Sequence, residues 1–388
     1  SVPHLSSAIQ REASHSASRA SARCEECVPT DVHDVTANAC QSSECNRVPF
    51  VPPVSRMSDE ADVPVGGSTQ NECSSKGTPE YTEPNSLESL IALLSSPIPE
   101  GGQRIIHLFS GLANRPGSLG WTTRALGYEC IEIDTVNGDF HDVLNTRLAN
   151  AVIAAIVEGR ATAVFAGTPC NTFSVARMHD DDGPEQLRSR QEPHGVTGIS
   201  FAGQRAVMMS DLLVDFTCRA IVAARASAAL WVVENPPSRG TGSTRFQARF
   251  RDHVSLFQMK AVRTLIEMGG TGSVQFDQCA WGGAYQKFTE LLFDERLNES
   301  LGQWRVFTCT HCYQGHEAVA IGEMSKASAA YPEAMSWAIA QALLKPSEVS
   351  RGQGIYSAPL FRSGSAKPHG PEAVAQAAFE QARAAGSA

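Results

Sequence analysis

Two short segments hold the side chains best suited to covalent chemistry. Thr168-Pro169-Cys170 places a thiol directly after a threonine and a proline, and Glu234-Asn235-Pro236-Pro237 places a carboxyl group ahead of two prolines. A thiolate is a strong nucleophile, and a carboxyl group facing the same pocket can hydrogen-bond or protonate whatever the thiolate attacks. A free cysteine also serves as a small buried apolar residue, so Cys170 taken alone leaves both roles open. Its combination with Glu234 favours the nucleophile. The prolines after Glu234 fix the exit of that turn.

A third segment, Phe109-Ser110-Gly111, begins a glycine-bearing turn after an apolar run. Such a turn offers backbone N–H groups and a helix N-terminus to a cofactor. The spacing is not Gly-x-Gly-x-x-Gly, and many nucleotide-free α/β domains carry similar turns. Asp134 closes the next apolar run, where a carboxylate accepts hydrogen bonds from ribose hydroxyls.

Strand patterns at 104–109, 128–133, 161–166 and 228–233 alternate with helical patterns at 117–126, 149–157 and 204–226. That alternation predicts an α/β domain with a mainly parallel sheet. Each chemical segment sits just after a strand. Open α/β sheets hold their ligands at that edge.

The chain has 388 residues, 42% hydrophobic and 19% charged, enough for one large domain or two small ones. No run of about eighteen apolar residues and no leader pattern occurs, so neither a membrane span nor secretion is expected. The expected location is intracellular, and nuclear if the source is eukaryotic. The opening at Ser1 suggests a fragment or processed product. Net charge is −9, which argues against a uniformly basic nucleic-acid binder, but about −8 of it lies in the first hundred residues. Arg239, Arg245, Arg249, Arg251 and Arg263 leave room for a local basic surface.

Residues 1–97 are rich in Ser, Glu and Pro and are expected to be disordered, apart from a helix candidate at 87–94 with Ser86 as its cap. Residues 98–345 form the expected catalytic domain. Residues 346–388 form a tail with a short helix at about 371–385. Eleven cysteines in a chain this long do not make a disulfide scaffold, so reduced thiols are expected. Cys24, Cys27, Cys40 and Cys45 lack histidines at finger spacing, whereas Cys309, His311, Cys312 and His316 are zinc-ligand types at tight spacing. No metal is expected at the reaction centre. Asp180, Asp181 and Asp182 read as a solvated turn, and 177–196 as a lid whose Arg188 and Arg190 could touch phosphates.

Taken in order, Phe109-Ser110-Gly111, then Thr168-Pro169-Cys170-Asn171-Thr172-Phe173-Ser174, then Glu234-Asn235-Pro236 resemble the cytosine-5 DNA methyltransferases, most closely their compact phage-like and virus-like members. The resemblance covers about 103–345. It implies a Rossmann-like fold of the S-adenosylmethionine-dependent methyltransferase type and methyl transfer to carbon 5 of cytosine in DNA. By the same resemblance Phe109, Ser110 and Gly111 line the S-adenosyl-L-methionine site, Asp134 holds the ribose, and Asp142, with Asp139 as rival, lies near the adenine. Cys170 would attack carbon 6 of a flipped cytosine, and Glu234 would hydrogen-bond ring nitrogen 3 and the exocyclic amine.

The segment Gln278-Cys279-Ala280-Trp281-Gly282 through Thr289 resembles a family segment that offers Lys287 and Thr289 to the substrate. The family's paired arginines are replaced by Ala280 and Gly282, so Lys287 or an arginine of the 239–251 cluster would have to substitute. Residues 331–340 resemble the family's closing helix beside the cofactor. Only about forty residues between Thr289 and Tyr331 remain for target recognition, which implies short or loose specificity. The alternative function is a degenerate methyltransferase-fold module that binds nucleic acid or a protein partner without catalysis. A weaker one replaces DNA with RNA.

Overall fold

The computed structural model describes residues 83–178, 184–240, 248–285, 287–309 and 330–344. The chain divides into two units, Ser1–Cys73 and Ser74–Ala388, and every described residue belongs to the second. The cysteines at 24, 27, 40 and 45, the aspartates at 180–182, Arg245, and residues 311, 312, 316 and 346–388 lie outside the described residues.

The second unit is built on six strands: β1 (Arg104–Leu108), β2 (Glu129–Ile133), β3 (Ala163–Ala166), β4 (Leu230–Asn235), β5 (Thr271–Asp277) and β6 (Phe288–Asp294). Their order is β2-β1-β3-β4-β6-β5. The first four are parallel. Strand β6 runs antiparallel to both neighbours, β4 and β5. The expected mainly parallel α/β sheet is therefore present. The chain runs from β1 to β2 on one side and from β3 to β4 on the other, so the topological switch point lies between β1 and β3.

Both faces of the sheet are covered, and for that reason its strands read as continuous apolar runs. Ile106, Leu108, Ile133, Val164 and Trp231 belong to one buried cluster, with residues of α1 (Leu87–Ser95), α3 (Thr146–Val157), α4 (Phe201–Ala226) and α5 (Lys260–Glu267). Ile105, Phe165, Val232, Phe276 and Phe293 point the other way, as strand alternation requires. They pack with Met335, Ile339 and Leu343 of the last helix and with Leu119 of α2 (Leu119–Ala125). The short α6 (Asn298–Leu301) precedes that last helix, α7 (Glu333–Leu344).

The helices begin where the sequence supplies caps. Ser118 accepts from the Trp121 N–H, Asn145 from Arg147, and Ser200 from Gly203. In α1 a reciprocal capping box links Ser86 and Ser89. Leu90 and Leu94 of that helix are fully buried in the first core. The helix expected at 87–94 is thus present as α1 and packs into that core. Among the described residues no helix is long and apolar enough to cross a membrane.

Leu90→Ala in the full chain is expected to lower stability by about 2–4 kcal/mol, because it leaves a cavity in a fully buried position. An unchanged urea midpoint would show that α1 is not part of the cooperative unit.

Candidate active site

The turn after β1 is held from below by a buried acid. Glu132 sits one strand away, pairs with Arg124 and accepts the Asn114 N–H at 3.1 Å. Its carboxyl group fits against α2 only because residue 120 is glycine: a Cβ there would lie 2.1 Å from the Glu132 carboxyl carbon. Phe109 adopts a left-handed conformation, φ +58°, and its N–H donates to the Ile133 carbonyl at 2.7 Å. A non-glycine residue there stores strain that the surrounding bonds must hold.

Asp134 closes the turn. Its two carboxylate oxygens accept from the Gly111 N–H at 2.9 Å and the Val136 N–H at 3.0 Å. Asn137 adds two more links, accepting from the Ala113 N–H and donating to the Gly111 carbonyl. Of the residues expected at a cofactor, Phe109, Ser110, Gly111 and Asp134 come together around one turn. Asp142 is half-buried and spends Oδ1 on the Leu144 N–H at 2.9 Å, and Asp139 is exposed.

Cys170 follows β3 on the other side of the switch point. Its loop is fastened to α4 and β4 by side chains. Asn235 donates to the Thr168 carbonyl at 2.6 Å, the Thr168 and Thr217 hydroxyls lie 3.0 Å apart, and Thr172 donates to Ser210 at 2.8 Å. His253 completes the anchor, with Nδ1 accepting the Arg239 N–H at 3.0 Å and Nε2 lying 2.8 Å from the Phe173 carbonyl. That arrangement requires the neutral imidazole with its proton on Nε2. Burial accordingly pushes its pKa down to about 4.

Glu234 is the second-last residue of β4, inside the strand instead of beyond it, and is only 5% exposed. Tyr331 donates its hydroxyl to Oε2 at 2.9 Å, and Lys287 Nζ stands 3.7 Å from Oε1. Oε1 is buried and has no hydrogen-bond partner among the described residues. Burial raises the pKa of the Cys170 thiol, the Lys287 cation lowers it, and a Glu234 carboxylate raises it. Cys170, Glu234, Lys287 and Tyr331 therefore form one electrostatic cluster at the carboxyl edge of the sheet.

Several expectations change. Arg188 is buried and cannot meet phosphates. It donates to Thr172 Oγ1, to the Pro193 and Val207 carbonyls and to Asp211, and it stacks on Phe173. Segment 184–196 is thereby tied to α4, while Arg190 is exposed. Thr289 is fully buried, and its hydroxyl accepts from Gln278 Nε2 at 2.9 Å, so it positions Gln278 and does not present itself to a substrate. Arg263 pairs with Glu267 and Arg251 lies 3.8 Å from Asp252, while the Arg239 guanidinium covers the Phe288 ring. Among the described basic candidates it is Lys287 that reaches Glu234. Cys309 is described, and its N–H donates to Asp277, but the other three zinc-ligand types are outside the described residues.

Local sequence pattern does not mark Tyr331 or His253 as parts of the site. Tyr331 heads an amphipathic helix, and His253 lies in an arginine-bearing loop; only long-range contacts give either a role. No protein-family model matches the chain, and no curated protein matches it.

His253 links the folded state to pH. Its folded value of about 4 lies below the ordinary 6.5, so the unfolded chain binds the extra proton between those values. Stability from this group is complete above about pH 6.5 and lost as pH falls toward 4. His107, also buried and lowered to about 3, continues the loss further down. Urea midpoints across about pH 4–7 should fall with acid in the wild type and fall less steeply in His253→Ala. Equal slopes would remove His253 from this linkage.

Proposed function

We propose that this domain transfers a methyl group from S-adenosyl-L-methionine to carbon 5 of cytosine in DNA. The observation that carries the reading is the cluster at the carboxyl edge: a thiol, a cation and a buried carboxyl group whose Oε1 has no hydrogen-bond partner among the described residues. A buried polar atom left unpaired costs about 1–3 kcal/mol, and such groups gather where a ligand completes them. The six-stranded sheet, with its switch point between β1 and β3, is compatible with the Rossmann-like methyltransferase fold.

The turn residues fit the cofactor. Space in front of Gly111 is open, and each Asp134 oxygen has spent only one acceptor position on the backbone, leaving capacity for a ribose diol. When bound, S-adenosyl-L-methionine supplies an electrophilic methyl group. The protein's own residues do the rest. Cys170 loses its proton and its sulfur bonds to carbon 6 of a cytosine turned out of the helix, while Glu234 donates a proton to ring nitrogen 3, so electron density moves to carbon 5. After carbon 5 is methylated its hydrogen leaves as a proton to solvent water, the sulfur–carbon bond breaks so that the thiolate leaves, and ring nitrogen 3 returns its proton to Glu234. Lys287 supports both acids through its charge. Thr289 acts at one remove, by holding Gln278.

A second reading, the degenerate binding module, is favoured by Ala280 and Gly282, where the family's arginines are absent, and by the burial that holds the resting thiol protonated. Retention of Cys170 with Glu234 favours catalysis.

Tritiated cofactor and mixed-sequence duplex DNA should give labelled 5-methylcytosine. Cys170→Ser should abolish transfer while cofactor affinity stays nearly unchanged, and Glu234→Gln should slow it about 10²–10⁴-fold. DNA bearing 5-fluorocytosine should trap the wild type covalently and fail to trap Cys170→Ser. Cofactor binding without transfer or adduct would decide for the degenerate module.

A further inference from the structure

We infer that Tyr331 is a positioning residue that fixes the Glu234 carboxyl group in one orientation, holding Oε2 and leaving Oε1, which has no hydrogen-bond partner among the described residues, to meet the substrate; this rests on the methyl-transfer reading above. The Tyr331 hydroxyl donates to Oε2 at 2.9 Å. The oxygen that accepts this bond is held in place, and the other is left for the base. Lys287, at 3.7 Å from Oε1, supplies charge there without a hydrogen bond.

The tyrosine is held for this task from several sides. Its ring meets Phe165 edge-on, with centroids 5.8 Å apart, and Lys287 Nζ lies 5.5 Å from its centroid. Just beyond it, α7 fixes the chain by burying Met335, Ile339 and Leu343. On its far side Gly167 leaves room for the hydroxyl, since a Cβ there would lie 2.7 Å from Tyr331 Oη. Burial raises the hydroxyl's pKa far above the ordinary tyrosine range, so it stays a donor throughout the working pH. A glutamate carboxyl turns about a broad, two-fold torsion. Without the tyrosine hydroxyl its two oxygens become interchangeable, and no single one is fixed toward the base.

The test uses the full chain with tritiated S-adenosyl-L-methionine and mixed-sequence duplex DNA. Tyr331→Phe keeps the ring and removes the donor. The expected result is a fall in kcat of about 10–100-fold with KM for DNA changed less than about twofold, since the interaction acts through the acid and not through binding. In a Glu234→Gln background the same substitution should add less than about twofold, because the group it orients is gone. Gly167→Ala, which crowds the hydroxyl, should lower kcat in the same direction, and it decides the matter if Tyr331→Phe loses its circular-dichroism signal or cofactor binding. Full activity in Tyr331→Phe, or equal losses in both backgrounds, would overturn the inference while leaving methyl transfer intact. A wild type that neither transfers methyl nor forms the fluorocytosine adduct would overturn the methyl-transfer reading and this assignment together.

Discussion

A carboxyl group buried at the end of β4 is the constraint on which the site depends. Burying a charge without partners is costly, and the surroundings of Glu234 are arranged to supply them. Tyr331 reaches one oxygen and Lys287 stands near the other. Each partner in turn needs a structural feature. The antiparallel insertion of β6 between β4 and β5 brings position 287, just ahead of its first residue, to the end of β4. Glycine at 167 gives Tyr331 its place, and the two buried apolar faces of the sheet keep these strand ends in register.

The cysteine loop is held by the same logic, with polar side chains that are themselves buried. Thr168, Thr172 and Asn235 fix its backbone, Arg188 fixes Thr172, and His253 fixes Phe173. Charged and neutral forms matter here. Arg188 is buried but fully engaged, a case where removing one partner strands a charge. His253 is buried as the neutral ring, and it accepts a backbone N–H that a protonated imidazole could not.

Much of this frame could be read from the chain because apolar runs ending in polar or glycine-rich segments mark strand ends. The Phe109 turn, Asp134 and Cys170 emerge at the ends of β1, β2 and β3 for that reason. Glu234 differs by a short distance: pairing with β6 carries β4 through Asn235, so the carboxyl group lies within the sheet. That partner strand was not legible, since an antiparallel neighbour from about fifty residues away leaves no local signature. Arg188 misled for a related reason. An arginine in a polar loop looks solvated until Asp211 and the carbonyls of Pro193 and Val207 are brought around it. The helix at Leu87–Ser95 was visible through its cap and apolar spacing, yet the polar composition before it hid that it belongs to the core.

The cluster of Cys170, Glu234 and Lys287 contains two acids and one cation. With both acids ionised, a single ammonium group leaves one buried negative charge uncompensated, and the two anions repel. Burial raises the thiol's pKa most, the Lys287 ammonium lowers it, and a Glu234 carboxylate raises it. The charge of one shared lysine thus links the two acids. An additional arginine near Glu234 would relax the coupling by making a second anion tolerable.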